Sequence, residues 1–484
     1  MKLRLRHCLV AWVIVGIGFV MPAAGKIHDP DIWWHLKTGE WIWAHRSVPT
    51  TDPFSFTAFG QPWTAHEWLS EVILYGIFAH FGFIGLILLM SVLLSALMAG
   101  IYLLVRTRMD YGPAALLITA LCGAATWQSW SPRPQLFTYL LLVGLLLLLM
   151  KPQRAALWLA IPMFWLWSNL HGAWIAGFAI MAITLTDASI TAFLQGKRRE
   201  AGRMIAICLL SLAAVMIGPS PVQRLVYPIQ YLTGSVLHHI LNSYILEYRS
   251  SNFQDPTTIP FEILLFALGG LLYLGRRPMR ASQWITLALL VHLSLQSGRH
   301  IPLLAIIVAP MLATQARAFA ERMGKQPQPD SGKNESLAIN ILVILMLPAM
   351  VWMRLPRVND EAHCVTGKSF PIAASRFLAE HPRVGSGRLL NTYNWGGYLI
   401  FHLYPKYLVS IDGRTDVHAW HMRRDLQALE DLSPAWKAHL RKMDPDVILW
   451  PANDPLPVVL RTDPDWRVLY QDQKAIVFVR RNYR

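Results

Sequence analysis

The chain has 484 residues, 54% of them hydrophobic and 15% charged, with a positive mean hydropathy. Soluble domains carry about 25% charged residues, so this composition excludes an ordinary soluble globule and puts most of the chain in lipid. The net charge of +15 is scattered over short loops rather than gathered into a stripe, which fits membrane topology signals and excludes a nucleic-acid surface.

At the N-terminus Lys2, Arg4 and Arg6 precede an apolar run from Cys8 to Val20 and the small residues Ala23-Ala24-Gly25. The pattern reads as a cleavable signal peptide or an uncleaved signal-anchor; the many apolar segments that follow favour the anchor. Directly after it stands His28-Asp29-Pro30-Asp31-Ile32-Trp33-Trp34-His35. Ionisable groups at a membrane face are expensive to hold, so a pair of carboxylates there points to chemistry. The alternative for the aspartates is capping of the helix that Ile32 opens. Trp33, Trp34, Trp41 and Trp43 read as an interfacial aromatic belt. Asp52, followed by Pro53, reads as a turn residue. Trp63-Thr-Ala-His66-Glu67-Trp68 opens an amphipathic segment over 67–81, expected at the interface, with Glu67 either a second acid or a first-turn acid favoured by the helix dipole.

Hydropathy then predicts about eleven spans near the length a bilayer requires: 8–25, 82–105, 112–129, 135–150, 155–170, 173–194, 204–219, 260–275, 282–297, 300–316 and 336–353. Arg106/Arg108, Lys151/Arg154, Lys197–Arg203, Arg276–Arg280 and Arg317–Lys333 fall on alternate loops, so a cytoplasmic N-terminus satisfies the positive-inside rule throughout. The outer side then receives loop 26–81, the loop Trp130-Ser-Pro-Arg133-Pro-Gln135, the turn Asn169-Leu-His171-Gly172, loop 220–259 with Glu247, and the tip Arg299-His300. A rigid arginine at such a face suits a phosphate through its planar donors, or snorkels to headgroups. His171 either bonds a sugar hydroxyl or ends a helix, and Glu247 either contacts a ligand or pairs with Arg249. Cys8, Cys122, Cys208 and Cys364 show no metal or disulfide spacing.

The fold class expected is a polytopic α-helical membrane protein, residues 1–353, followed by a soluble α/β domain over 354–484 on the outer side. Strands are predicted at Arg388–Asn391, Tyr407–Ile411, Val447–Trp450, Trp466–Tyr470 and Ala475–Val479, with helices at 395–403, 418–430 and 434–442. Within this tail, Trp395-Gly-Gly-Tyr398 and Asp412-Gly-Arg414-Thr-Asp416 stand where an α/β sheet presents ligand contacts, although an Asp412–Arg414 salt bridge accounts for the second string equally well.

In layout and in the strings Asp29-Pro-Asp31-Ile-Trp-Trp-His35, Arg133-Pro-Gln135, Asn169-Leu-His171-Gly172 and Asp412-Gly-Arg-Thr-Asp416, the chain resembles poorly characterised bacterial members of the GT-C glycosyltransferase superfamily. Trp395-Gly-Gly-Tyr398 is faintly similar to the acceptor-binding motif of oligosaccharyltransferases. The resemblance implies a multi-pass enzyme of the bacterial inner membrane with a periplasmic C-terminal domain. It would transfer sugar, with inversion, from a polyprenyl-phosphate-linked donor to a glycan, lipid or protein acceptor. Asp29 or Asp31 would be the general base, with Glu67 a further acid, and Arg133 and Arg299 would hold the donor phosphate. His35, His66, Gln135, Asn169, His171, Glu247, His300, Trp395, Tyr398, Asp412 and Arg414 would line the substrate. The outer loop between the third and fourth spans lacks the carboxylate that several such families carry, which leaves a divalent metal ion an open question unless Glu67 or Glu247 supplies the ligand. The alternative from another class is a lipid-carrier flippase or small-molecule transporter. Such proteins carry broken helices and midplane charge, whereas the charge here lies at the outer face.

Overall fold

The computed structural model describes residues 16, 26–109, 112–150, 155–233, 245–324, 337–366 and 369–481. The predicted first span, 8–25, lies outside these residues apart from Gly16. In chain order the helices are α1 (Ile32–His45), α2 (Trp68–Arg106), α3 (Gly112–Thr126), α4 (Gln135–Leu149), α5 (Ala160–Leu170), α6 (Trp174–Leu194), α7 (Arg198–Val215), α8 (Pro221–Thr233), α9 (Ile259–Gly275), α10 (Ala281–Gln296), α11 (Ile301–Arg322) and α12 (Leu337–Arg354). The chain divides into two compact units: Met1–Lys26, Ile84–Pro228 and Ile245–Val358 form the first, and Ile27–Phe83, Ile229–Tyr244 and Asn359–Arg484 the second. Residues 27–83, expected as a loop of the membrane domain, therefore share a unit with the tail.

The first unit is helical. Its core gathers Leu104, Leu142, Phe164, Trp167, Met181, Ile207, Leu264 and Leu304. Helix α11 is buried along the whole run Ile301–Ala309, as an all-apolar helix inside a bundle must be. Helix α9 instead turns Ile263 and Phe266, the latter 80% exposed, outward. Apolar side chains presented this way to water would be unfavourable, and lipid is their natural neighbour. Among the described residues four helices are long and apolar enough to cross a membrane: Trp68–Arg106, Trp174–Leu194, Pro256–Gly275 and Gly298–Arg322. The other predicted spans that fall within the described residues appear as shorter helices. Gln135–Leu149, with 15 residues, reaches about 22 Å, below the usual hydrocarbon thickness. The sequence division at 81/82 coincides with a backbone break inside α2, where Gly82 takes φ 60° and ψ −153°.

The second unit holds α1, the start of α2 and the tail, whose further elements are α13 (Glu361–Cys364), α14 (Ile372–Glu380), β1 (Arg388–Asn391), α15 (Tyr393–Leu403), β2 (Leu408–Val409), α16 (Thr415–His421), α17 (Gln427–Glu430), α18 (Trp436–Met443), β3 (Val447–Pro451), α19 (Pro455–Thr462), β4 (Trp466–Gln471) and β5 (Ala475–Arg480). The sheet order is β2-β1-β3-β5-β4, with β2, β1 and β3 parallel and the last two strands antiparallel. β3 and β5 read as continuous apolar runs because helices cover them: Ile448, Trp450, Ile476 and Phe478 pack with Leu429, Leu440, Leu456 and Leu460. β2 is shorter than the five residues expected, and α19 was not anticipated, since Pro455 and Pro457 mask a helix that prolines in fact begin well. The first loop joins the sheet beside β2: Phe56 donates its N–H to the Val409 carbonyl at 2.9 Å, and Thr57 Oγ1 donates to the Ser410 carbonyl at 2.6 Å.

Candidate functional site

In the second unit three strings far apart in sequence come together. Asp31 occupies the N-cap position of α1, but in helical geometry (φ −82°, ψ −24°) and with no side-chain cap bond. Capping therefore does not explain it. Asp29 does the local work instead: its Oδ1 accepts the Asp31 N–H at 2.9 Å and the side chain is buried. Gly413, from the Asp412–Asp416 string, sits against both Asp31 and Trp34; a Cβ there would fall 2.1 Å from Asp31 Oδ1 and 2.7 Å from Trp34 Nε1. A Cβ on Gly396 would fall 1.9 Å from the Ile411 carbonyl oxygen, and one on Gly397 would fall 2.8 Å from that of Pro30. The glycines of both tail strings thus admit the first-loop acid motif.

The tryptophan belt expected here is corrected for two members. Trp33 is fully buried, its ring 5.0 Å from Tyr398, 5.3 Å from Phe401 and 5.5 Å from Phe370, and Trp34 is also buried. Only a core position satisfies so much aromatic surface. Trp43 remains exposed. Tyr398 donates its hydroxyl to Glu361 Oε1 at 2.5 Å, and Trp395 Nε1 donates to the Ser369 carbonyl at 3.1 Å, so both polar ends are engaged within the unit.

Asp412 and Arg414 form a buried ionic cluster. Arg414 Nε and Nη2 grip both oxygens of Asp412 at 2.7 and 2.6 Å, while Nη1 donates to Asp52 Oδ1 at 2.7 Å. The guanidinium lies 4.6 Å from the Trp63 ring and 5.1 Å from that of Phe54. His418 Nε2 is 2.9 Å from Asp412 Oδ2. Asp52 also accepts the N–H groups of Phe54 and Ser55, the turn expected of it. Burial alone would raise the Asp412 carboxyl, but Arg414 and His418 outweigh it and hold the group far below the usual carboxylate range. Arg414 directs its donors into the protein, so its visible role is to fasten the first loop to the turn carrying Gly413. Beside it, burial pushes Asp416 up to about 6, with Arg414 pulling the other way.

His35, His66 and Glu67 meet in the same unit, together with a residue the sequence reading passed over, Glu71. His35 Nδ1 lies 3.2 Å from Glu71 Oε1 and Nε2 lies 3.7 Å from Glu67 Oε2; His66 Nε2 is 3.7 Å from Glu67 Oε1. Burial, then the neighbouring His66, keeps the His35 imidazolium well below its usual range. The available signal was the four-residue spacing of Glu67 and Glu71 at the start of an apolar helix. Among the described residues no group of three or more His, Cys, Asp or Glu has an arrangement that could hold a metal ion.

The first unit carries the remaining candidates. Arg133, between its prolines, pairs with Glu247 Oε1 at 2.5 Å. Burial would raise Glu247, and Arg133 and Arg299 more than offset it, holding the carboxyl below its ordinary value. Arg299 donates to the Tyr248 hydroxyl, with its guanidinium 4.9 Å from that ring, and His300 follows it at the start of α11. Gln135 Nε2 donates to the Ser129 carbonyl at 3.1 Å and closes the Arg133 loop. Asn169 Nδ2 donates to the Trp165 carbonyl at 2.7 Å. His171 Nδ1 faces Thr138 Oγ1 at 2.8 Å and the Ala173 N–H at 3.4 Å, while Trp167 Nε1 donates to the same hydroxyl at 2.8 Å. Two donors on Nδ1 put the imidazole proton on Nε2.

No protein-family model matches the chain, and no curated protein matches it. Solved structures do. The chain is similar to the Archaeoglobus fulgidus oligosaccharyltransferase tethered with an acceptor peptide, with a TM-score of 0.57 at 11% identity, covering 98% of this chain and 73% of that one. The apo form of that oligosaccharyltransferase gives 0.56 at 10% identity over 99% and 75% of the two chains. ArnT from Cupriavidus metallidurans bound to undecaprenyl phosphate gives 0.51 at 12% identity over 97% of each. The likeness is one of fold: this chain is folded like these GT-C glycosyltransferases.

Proposed function

We propose that the protein is an integral-membrane glycosyltransferase that moves a sugar from a polyprenyl-phosphate-linked donor to an acceptor on the outer face of the bacterial inner membrane. The observation that carries this reading is the Asp31 carboxylate, released from helix capping and seated against Gly413 in a chain of GT-C fold. In the proposed step the acceptor's heteroatom attacks the anomeric carbon as the bond from that carbon to the phosphate oxygen breaks. The electron pair leaves with the lipid phosphate, and inversion follows from the single displacement. The Asp31 carboxylate takes the acceptor's proton, and the Asp29 bond to the Asp31 N–H fixes the turn that presents it. Within the first unit, Arg133 and Arg299, arranged with Glu247 and Tyr248, offer planar donors of the kind that suit a lipid phosphate. The structure of ArnT with undecaprenyl phosphate supports a lipid donor of this chemical class.

Mass spectrometry of lipids that co-purify with the intact protein tests the donor. A sugar-linked polyprenyl phosphate is expected with the wild type and is expected to be depleted in Arg133→Ala and Arg299→Ala. Recovery of membrane phospholipid alone from all three would refute the donor assignment.

A further inference from the structure

The two adjacent tryptophans of α1 have different surroundings. The ring of Trp33 is enclosed by those of Phe83, Phe370, Tyr398 and Phe401, so its N–H lies among aromatic surfaces, which serve as weak acceptors. Trp34 packs on His35, ring centroids 3.6 Å apart, and its pyrrole edge lies between glycines of the two tail strings. A Cβ on Gly397 would fall 3.3 Å from Trp34 Cδ1, and one on Gly413 would fall 2.7 Å from Nε1. Nε1 is the indole atom nearest the Gly413 point, so the N–H corner of the ring is turned towards it. Asp31 Oδ1 lies 2.1 Å from the same point. Trp34 is only 7% exposed, and its buried Nε1 has no hydrogen-bond partner among the described residues. Asp31 and Gly413 are half-buried, so the place where they meet the indole borders the surface of the unit.

An indole N–H only donates, and an ionised carboxylate only accepts. A buried donor left without a partner is costly, and here the donor stands beside the acid proposed as the base. One atom that serves both groups must accept from Trp34 and donate to Asp31. A hydroxyl does this and keeps a second lone pair. A protonated amine has no lone pair to offer. A neutral amine has one, which a bond from Trp34 would withdraw from reaction. The nitrogen of a carboxamide has its lone pair tied up in amide resonance.

We propose that Trp34 Nε1 binds the nucleophilic oxygen of the acceptor beside Asp31 and thereby restricts the acceptor to a hydroxyl. The proposal rests on the transferase reading above. The hydroxyl donates to the Asp31 carboxylate, accepts the Trp34 N–H with one lone pair and attacks the anomeric carbon with the other. As the new carbon–oxygen bond forms, the bond from that carbon to the phosphate oxygen breaks and its electron pair leaves with the lipid phosphate. The hydroxyl proton ends on Asp31, and the product is an O-glycoside. Gly397 and Gly413 are the residues that let the pyrrole edge of Trp34 sit this close to the tail.

The test uses the full chain in lipid nanodiscs, with polyprenyl phosphate carrying a sugar labelled with carbon-13 at its anomeric carbon and an extract of host membranes as the source of acceptor. The anomeric carbon-13 shift of the product separates O- from N-glycosides, and an O-glycoside is expected. Benzothienylalanine introduced at position 34 by stop-codon suppression keeps the shape of the indole and replaces its N–H by sulfur. It is expected to raise the apparent KM for the extract roughly 3- to 10-fold, the worth of one hydrogen bond, while the KM for the donor stays and the melting temperature does not fall. An N-glycoside overturns the assignment of Trp34 alone, as does a wild-type KM for the extract with benzothienylalanine in place. A lowered melting temperature in that variant also overturns it, since the N–H would then serve the fold. Wild-type protein that transfers no sugar overturns the transferase reading, and the role of Trp34 with it.

Discussion

An Arg414→Met substitution keeps most of the aliphatic bulk of the side chain and removes the guanidinium that donates to Asp412 and Asp52. Two buried carboxylates then lose their shared cation. Breaking a buried ion pair on one side costs about 3–5 kcal/mol. The stacking of the guanidinium near Trp63 and Phe54 adds roughly 1 kcal/mol. For a unit of this size the sum corresponds to a fall of roughly 10–20 °C in melting temperature. Tryptophan fluorescence during heating of the detergent-solubilised protein measures it, since Trp63 sits beside the missing group. A triple variant, Asp52→Asn, Asp412→Asn and Arg414→Met, removes the stranded charges and is expected to regain at least half of the loss. The pH dependence has a fixed sign. The folded-state pKa of Asp412 is depressed, so its stabilisation is present above the unfolded value of about 3.9 and is lost as pH falls below it. The wild-type melting temperature is therefore insensitive to this group from pH 7 to about 5 and drops in more acidic buffer; the gap to Arg414→Met narrows there. A single variant that melts within about 2 °C of wild type at pH 7 would refute the reasoning.

Gly413→Ala puts a Cβ onto Asp31 Oδ1 and the Trp34 indole; sugar transfer is expected to fall at least about tenfold, with an overpacking cost of about 1–3 kcal/mol in a melting assay. Trp33→Ala opens a cavity among Phe370, Tyr398 and Phe401 and is expected to cost about 3–5 kcal/mol by denaturant unfolding. Burial, then Asp431 and Asp454, raises Glu430 to about 7. Its folded form is therefore penalised progressively as pH rises from the unfolded value of about 4.3 to 7, and Glu430→Gln should stabilise on the order of 1 kcal/mol at pH 8 and nothing at pH 4, as thermal melts at the two pH values will show.

The strands of the tail were legible because buried β runs such as Val447–Trp450 and Ala475–Val479 are both apolar and β-branched, and the structure places them within a residue of expectation. The break at Gly82 was legible as the end of an amphipathic stretch. The partners of Arg414, Trp33 and Glu247 were not. Asp52 and Arg414 are 362 residues apart, and no local periodicity joins a turn aspartate to a strand-end arginine. Trp33 has the same sequence surroundings as a belt tryptophan; only the docking of α15 decides that it is core. Glu71 was hidden by its position in a long apolar helix, where a carboxylate reads as a dipole acid until Gly39 brings His35 against it. Local patterns thus reported elements, and side-chain chemistry depended on contacts of long sequence separation.

The central claim is that Asp31 is the base of a lipid-linked sugar transfer and Asp29 the residue that fixes its turn. Its most direct test is glycan and glycolipid profiling of cells carrying Asp31→Asn or Asp29→Asn at wild-type protein levels. The account predicts that Asp31→Asn abolishes the product and accumulates the sugar-linked polyprenyl donor, while Asp29→Asn lowers the product partially. Wild-type glycans in the Asp31→Asn strain would contradict it.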